Sequence, residues 1–280
     1  MKTVTSKDGT TIVYDQTGDG PPLILVDGAL NSRGFGLNGP LAAVLADRFT
    51  VVTYDRRGRG DSGDTLPYAA QREIEDLEAV IDASGGPAYV YGISSGAVLA
   101  LETACAVPAK VARLALYEAP FVVDDSRPPV PADAIAQITD LLARGRRGAA
   151  VRLFLREYSQ VPAAFVALMP LMPAWGKLKA VAHTLPYDLT IMDGGQQGQP
   201  LPPGRWATLT APTLVIAGGK SPAWLQNAAR ALARALPCAS HHTLPGQTHI
   251  VKPQPLAPVL AGFFTTTGST RPAGDSNTAG

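Results

Sequence analysis

The 280 residues are 46% hydrophobic and 17% charged, enough for one well-buried core with an insertion or for two small domains. Lysine and arginine number 24 against 23 acidic residues; a net charge of +1 offers no basic field for a polyphosphate backbone and argues against a nucleic-acid partner. Residues 1–9 do not read as a secretory signal, and apolar runs such as residues 23–26 are too short for a bilayer. The isolated Cys105 and Cys238 match no disulfide framework or metal spacing, so the expectation is a cytoplasmic protein without membrane attachment. The histidines, His183, His241, His242 and His249, are not spaced to share a metal, and no metal or cofactor is expected.

In chain order, residues 11–14 and 22–26 read as strands flanking the turn Thr17-Gly18-Asp19-Gly20. Residues 41–48 form a short amphipathic helix with Leu41, Val44 and Leu45 on one face, and residues 50–54 are β-rich. Residues 72–83 place Ile74, Leu77, Val80 and Ile81 at helical spacing and stop before Gly85-Gly86. A strand (88–93), a helix (95–107) and a strand (112–117) follow. The alternation implies right-handed crossovers and a mostly parallel sheet with helices on both faces.

That rhythm then pauses. Residues 121–205 are helical and interrupted by Pro and Gly, with helices predicted over 134–144, capped by Asp133, and over 149–158. It resumes with a strand (212–217), a helix (224–236), a strand (240–244) and a helix (256–264). The expected organisation is therefore a core of residues 1–120 and 206–266, a helical cap inserted at 121–205, and a disordered tail at 267–280 rich in Thr, Gly, Ser, Pro and Asn.

Three segments carry the candidate chemistry. Gly92-Ile93-Ser94-Ser95-Gly96 fits G-x-S-x-G between a predicted strand and a predicted helix, the context of a nucleophile elbow. Such a bend strains its central residue and needs neighbours nearly free of side chains, which Gly92 and Gly96 supply. Gly-rich strand-to-helix turns also bind phosphate, so the bend alone does not decide between the two. Val26-Asp27-Gly28-Ala29-Leu30 ends a strand where the N–H groups of Ala29 and Ser95 would converge as an oxyanion hole. Pro245-Gly246-Gln247-Thr248-His249 follows the last strand and offers His249 as a general base, placed after Ser94 in chain order.

With these in place, residues 8 to 265 resemble the α/β-hydrolase superfamily, in its serine-nucleophile, cap-bearing branch. The run Tyr54-Asp55-Arg56-Arg57-Gly58-Arg59-Gly60-Asp61-Ser62 is similar to the family's Asp-x-Arg-Gly-x-Gly-x-Ser turn, a structural loop with no catalytic role. Two positions depart from the family. Asp27 stands where His is usual, and reads as a structural turn residue turned away into backbone hydrogen bonds. Ser221 stands where the loop after the seventh strand normally carries the triad Asp. The resemblance implies a substitute acid, and Glu118, directly after the sixth strand as in some haloalkane dehalogenases, is the best candidate, ahead of Asp124 and Asp125. Glu118 pairing with an arginine or capping the pocket mouth is the alternative. Gly218-Gly219-Lys220-Ser221 is not a phosphate loop, because Leu214 stands where the motif needs glycine.

The implied activity is acyl transfer: Ser94 as nucleophile, His249 as base, Glu118 as acid, on a small or medium apolar ester, lactone or thioester. Leu30, Phe121, Phe165 and Met169 are expected to line the substrate pocket, as are Met172, Trp175, Trp224 and Ile250, with Phe154 and Leu155 as further apolar candidates. Non-hydrolytic lyase or cyclase chemistry at the same site, and a catalytically weak ligand-binding role, are the alternatives. The partner is a small molecule and the chain a monomer or homodimer.

Overall fold

A computed structural model of the chain describes residues 1–266; the expected tail at 267–280 lies outside the described residues. The first half runs β1 (Lys2–Thr5), β2 (Thr11–Thr17), β3 (Pro22–Val26), α1 (Asn38–Leu45), β4 (Thr50–Tyr54), α2 (Ala70–Ala83), β5 (Ala88–Ile93), α3 (Ser95–Ala106) and β6 (Val111–Tyr117). Five helices follow: α4 (Ala134–Ala143), α5 (Arg147–Leu153), α6 (Ala163–Leu168), α7 (Trp175–Ala180) and α8 (Leu185–Ile191). The chain then re-enters the sheet with β7 (Thr213–Gly218), α9 (Ala223–Ala235), β8 (Ala239–Leu244) and α10 (Pro253–Thr265).

The eight strands form one sheet in the order β1-β2-β4-β3-β5-β6-β7-β8. Pairing is antiparallel for β1 with β2 and β2 with β4, and parallel from β4 onward. Strand β1 is not evident from sequence because Lys2-Thr3-Val4-Thr5 has a single apolar residue; its register against β2 supplies what its composition lacks.

The central strands are covered on both sides and therefore read as continuous apolar runs. Ile24, Val26, Val90, Leu114, Leu116 and Val215 pack with α3 on one face. Leu23, Leu25, Tyr91, Ala115, Tyr117 and Ile216 pack with α1 and α10 on the other. Because β3, β5, β6, β7 and β8 run parallel, the residues that follow them collect along one edge of the sheet, where such sheets hold their ligands.

The helical segment between β6 and β7 is less regular than its sequence predicts. The helix expected over 149–158 is α-helical only to Leu153 and continues as a π-helical turn from Phe154 to Tyr158. Residues 165–175, where the sequence suggests no element, contain the end of α6 and a 3₁₀ turn at Met169–Leu171.

Candidate active site

The turn from β5 into α3 puts Ser94 at φ 57, ψ −130, outside the ordinary regions for a residue with a side chain. Its N–H donates to Tyr117 O at 3.0 Å, which ties the bend to the end of β6. Gly96 makes the close approach possible, since a Cβ there would come within 2.5 Å of the carbonyl oxygens of Val26 and Asp27. On the opposite side, a Cβ on Gly28 would lie 2.9 Å from Ser94 Cβ. Leu30, at φ 64 and buried, turns the chain away after this contact.

Ser95 opens α3, so its N–H has no partner within the helix. Among the described residues, neither this N–H nor that of Ala29 is donated to a protein acceptor. The helix N-terminus adds a partial positive charge beside the Ser94 hydroxyl.

Glu118 is the first residue beyond β6 and has no exposed surface. Its φ of 47 is again unusual for a residue with a side chain, and its N–H donates to Ile216 O at 3.0 Å. Both carboxylate oxygens are committed: Oε1 accepts the Gly218 N–H at 2.7 Å, and Oε2 lies 2.7 Å from His249 Nδ1. With a proton on Nδ1 donated to that carboxylate, Nε2 is left as an acceptor. The loop carrying His249 is held at two further points, by the Tyr117 hydroxyl donating to Thr248 O at 2.7 Å and by Lys220 N–H donating to Gln247 O at 2.8 Å.

Glu118 thus pairs with a histidine and not with an arginine. The Ser94 hydroxyl, half-buried, forms no hydrogen bond to His249 or to another described residue.

Two substituted positions differ from their sequence reading or extend it. Asp27 is buried, but its Oδ1 has no hydrogen-bond partner, so it is not turned into backbone hydrogen bonds. Burial pushes its carboxyl up to about 7, against the pull of Arg59 and Arg56. Ser221 is also buried, with its hydroxyl unpartnered among the described residues.

The loop 55–62 does more than its family resemblance implies. Asp55 accepts the Arg33 N–H at 2.7 Å and the Asp61 N–H at 3.0 Å, and Arg57 is bidentate to Asp76 at 2.8 and 2.7 Å. Arg56 and Arg59 instead reach toward Ser94. Arg59 Nη1 donates to Gly28 O at 2.7 Å and Arg56 Nη1 to Asp27 O at 3.2 Å. Both arginines meet Asp188 of α8, at 2.7 and 2.8 Å, and Ser95 Oγ donates to the same carboxylate at 2.7 Å. Sequence reasoning missed these residues. Arginines crowded between apolar strands were a usable signal; Asp188, in a segment without a motif, gave none.

The expected pocket lining is not one surface. Phe121 has no accessible area and packs 5.7 Å from the Trp206 ring, so it is a core residue and not a lining one. Trp224 is buried beneath the Arg127 guanidinium, 4.9 Å from its centroid. Met169 and Trp175 are half-buried, whereas Phe165, Met172 and Ile250 are exposed. Phe154 is buried and Leu155 half-buried. Among the described residues no group of three or more His, Cys, Asp or Glu is arranged to hold a metal ion, and no helix is long and apolar enough to cross a membrane.

Residues 23–259 match the alpha/beta hydrolase family. A solved alpha/beta hydrolase from Sphaerobacter thermophilus is 52% identical, covers 94% of this chain and 100% of its own, and superposes with a TM-score of 0.88. An enol-lactonase from Burkholderia xenovorans shares the fold at 18% identity, with a TM-score of 0.71 over 95% of this chain and 100% of that one. A putative carbamate hydrolase from Azorhizobium caulinodans is 34% identical over 107 residues, which is 38% of this chain and 40% of that protein. The match thus spans about two-fifths of that relative's length.

Proposed function

The chain belongs to the α/β-hydrolase family, and from that premise we propose that it is a serine hydrolase acting through an acyl-enzyme. In this reading Ser94 is the nucleophile, His249 the base, Glu118 the acid, and the Ala29 and Ser95 N–H groups the oxyanion hole. The observation that carries it is the bond between Glu118 Oε2 and His249 Nδ1, with the other carboxylate oxygen held by Gly218. A carboxylate fixed on both oxygens orients the ring and favours the imidazolium that forms during attack.

His249 Nε2 takes the proton from Ser94 Oγ as the oxygen attacks the substrate carbonyl. The carbonyl electron pair moves onto oxygen, facing the two N–H donors. Collapse expels the alcohol or thiol, which receives the proton from His249. Water, deprotonated by the same ring, then attacks the acyl group and regenerates Ser94. A serine at the elbow excludes the aspartyl-ester route to alkyl halides and epoxides.

The substrate class is a small or medium apolar carboxylic ester, lactone or thioester. Carbamates and enol lactones, specified by the names of two relatives, are likewise acyl compounds. Residues 121–205 are assigned as a cap and residues 1–120 with 206–266 as the core. The cap's exposed Phe165 and Met172 and half-buried Met169 and Trp175 are its apolar candidates for substrate contact.

Hydrolysis of short-chain p-nitrophenyl esters by wild type, Ser94→Ala, His249→Ala and Glu118→Gln tests this reading. Turnover by wild type and its loss in Ser94→Ala are expected. A Ser94→Ala variant that still converts substrate would transfer the site to acid–base chemistry without an acyl-enzyme.

A further inference from the structure

We propose that Asp188, carried by the helical insertion, is a positioning residue for the oxyanion hole, acting through Arg59 and Ser95 on its two N–H donors. This rests on the serine-hydrolase reading and deepens it. The first arm runs from Asp188 Oδ2 to Arg59 Nη2 at 2.7 Å, and from Arg59 Nη1 to Gly28 O at 2.7 Å. The Gly28 carbonyl and the Ala29 N–H belong to one planar trans peptide unit, so their O and H point in opposite directions. Holding the oxygen against Arg59 therefore sets the direction of the Ala29 N–H. A guanidinium on that oxygen also polarises the unit and strengthens its donor.

The second arm runs from Asp188 Oδ1, which accepts the Ser95 hydroxyl at 2.7 Å. Ser95 supplies the other donor from its own main chain. Arg56 closes the assembly: its Nη1 reaches Asp188 Oδ1 at 2.8 Å and Asp27 O at 3.2 Å, while Nε and Nη2 clasp Glu73 at 2.6 and 2.8 Å. One carboxylate from the insertion thereby grips both sides of the bend around Ser94.

Burial makes this arrangement costly as a mere staple. Asp188 and Ser95 have no exposed surface, and Arg56 and Arg59 have 1% each. Buried ion pairs seldom stabilise a fold more than apolar residues of equal volume, so fixing one geometry is their better-supported use. Burial would raise the Asp188 carboxyl, but Arg59 and Arg56, with the Ser95 hydroxyl, hold it below its ordinary value, and it stays ionised.

The test measures ester hydrolysis and affinity for a trifluoromethyl ketone, whose addition to Ser94 creates an oxyanion in the hole. Asp188→Asn is expected to lower kcat about 10- to 100-fold, with KM within about threefold, and to weaken ketone affinity in parallel. Ser95→Ala leaves every buried charge paired, so it folds even where Asp188→Asn does not, and it is expected to lower both by about 10-fold. Asp76→Asn, which removes the buried bidentate carboxylate from the neighbouring Arg57 and leaves it only the Asp8 pair, is expected to lower Tm and leave kcat of the folded protein unchanged.

Wild-type kcat and ketone affinity in folded Asp188→Asn or in Ser95→Ala would overturn the positioning role alone. Wild type without turnover or ketone binding would overturn the serine-hydrolase reading and the positioning role with it.

Discussion

The sheet edge and the helical insertion solve different problems with the same chain. At the edge, Ser94 and Glu118 are tied by main-chain bonds to neighbouring strands, and Gly218, within β7 and paired with β8, holds the Glu118 carboxylate through its N–H, so their geometry is as rigid as the sheet itself. In the insertion, short helices are interrupted by π and 3₁₀ turns and leave Phe165, Leu168, Leu171 and Met172 exposed. In the proposed reading, the contrast separates chemistry, placed where the backbone is over-determined, from substrate preference, placed where it is not. Asp188 is the exception, a side chain of the insertion locked into the edge.

The largest effect that would break this contrast is at Glu118. Glu118→Gln keeps the Gly218 bond but removes the charge facing His249, and kcat is expected to fall on the order of 10⁴-fold while thermal stability changes little. Wild-type turnover would show that the edge is not the seat of the chemistry.

Next comes Asp27. Its folded carboxyl is raised by burial to about 7, so the protonated form is favoured in the fold. The stability this contributes is complete below the unfolded value near 4 and is lost as pH rises through 7, by up to about 4 kcal/mol. Asp27→Asn is expected to flatten that decline in urea unfolding followed from pH 4 to 8. An unchanged slope would mean that other groups carry it.

Gly28→Ala sharpens the edge further. The added Cβ meets Ser94 Cβ at 2.9 Å and must push the Ala29 N–H away. A drop in kcat on the order of 10²- to 10³-fold is expected in steady-state assays, the loss of one oxyanion donor. The smallest effects belong to the insertion: Phe165→Ser and Leu171→Ser should change unfolding free energy by less than about 0.5 kcal/mol. Their signature is a shift in acyl-chain preference, read from kcat/KM across an ester series.

The same division governs what the sequence disclosed. Strands Pro22–Val26, Thr50–Tyr54 and Ala88–Ile93 are legible at their observed bounds, because apolar runs buried on both faces leave a plain pattern. Ser94, Glu118 and His249 are legible as candidates since each follows a strand, and strand ends are easy to find. The insertion is not. Phe121 resembles a pocket residue until its packing against Trp206 removes it from any surface, and composition does not distinguish an apolar lining from an apolar core. Asp188 meets Arg56 and Arg59 across more than 120 positions of chain, a pairing that only the fold creates.

The most direct measurement is the site of covalent modification by a fluorophosphonate, mapped by peptide mass spectrometry in wild type and in His249→Ala. If the strained bend and the Glu118-held imidazole form one machine, a single adduct appears on Ser94 and its rate of formation collapses without the histidine. An adduct elsewhere, or a Ser94 adduct formed just as fast in His249→Ala, contradicts it.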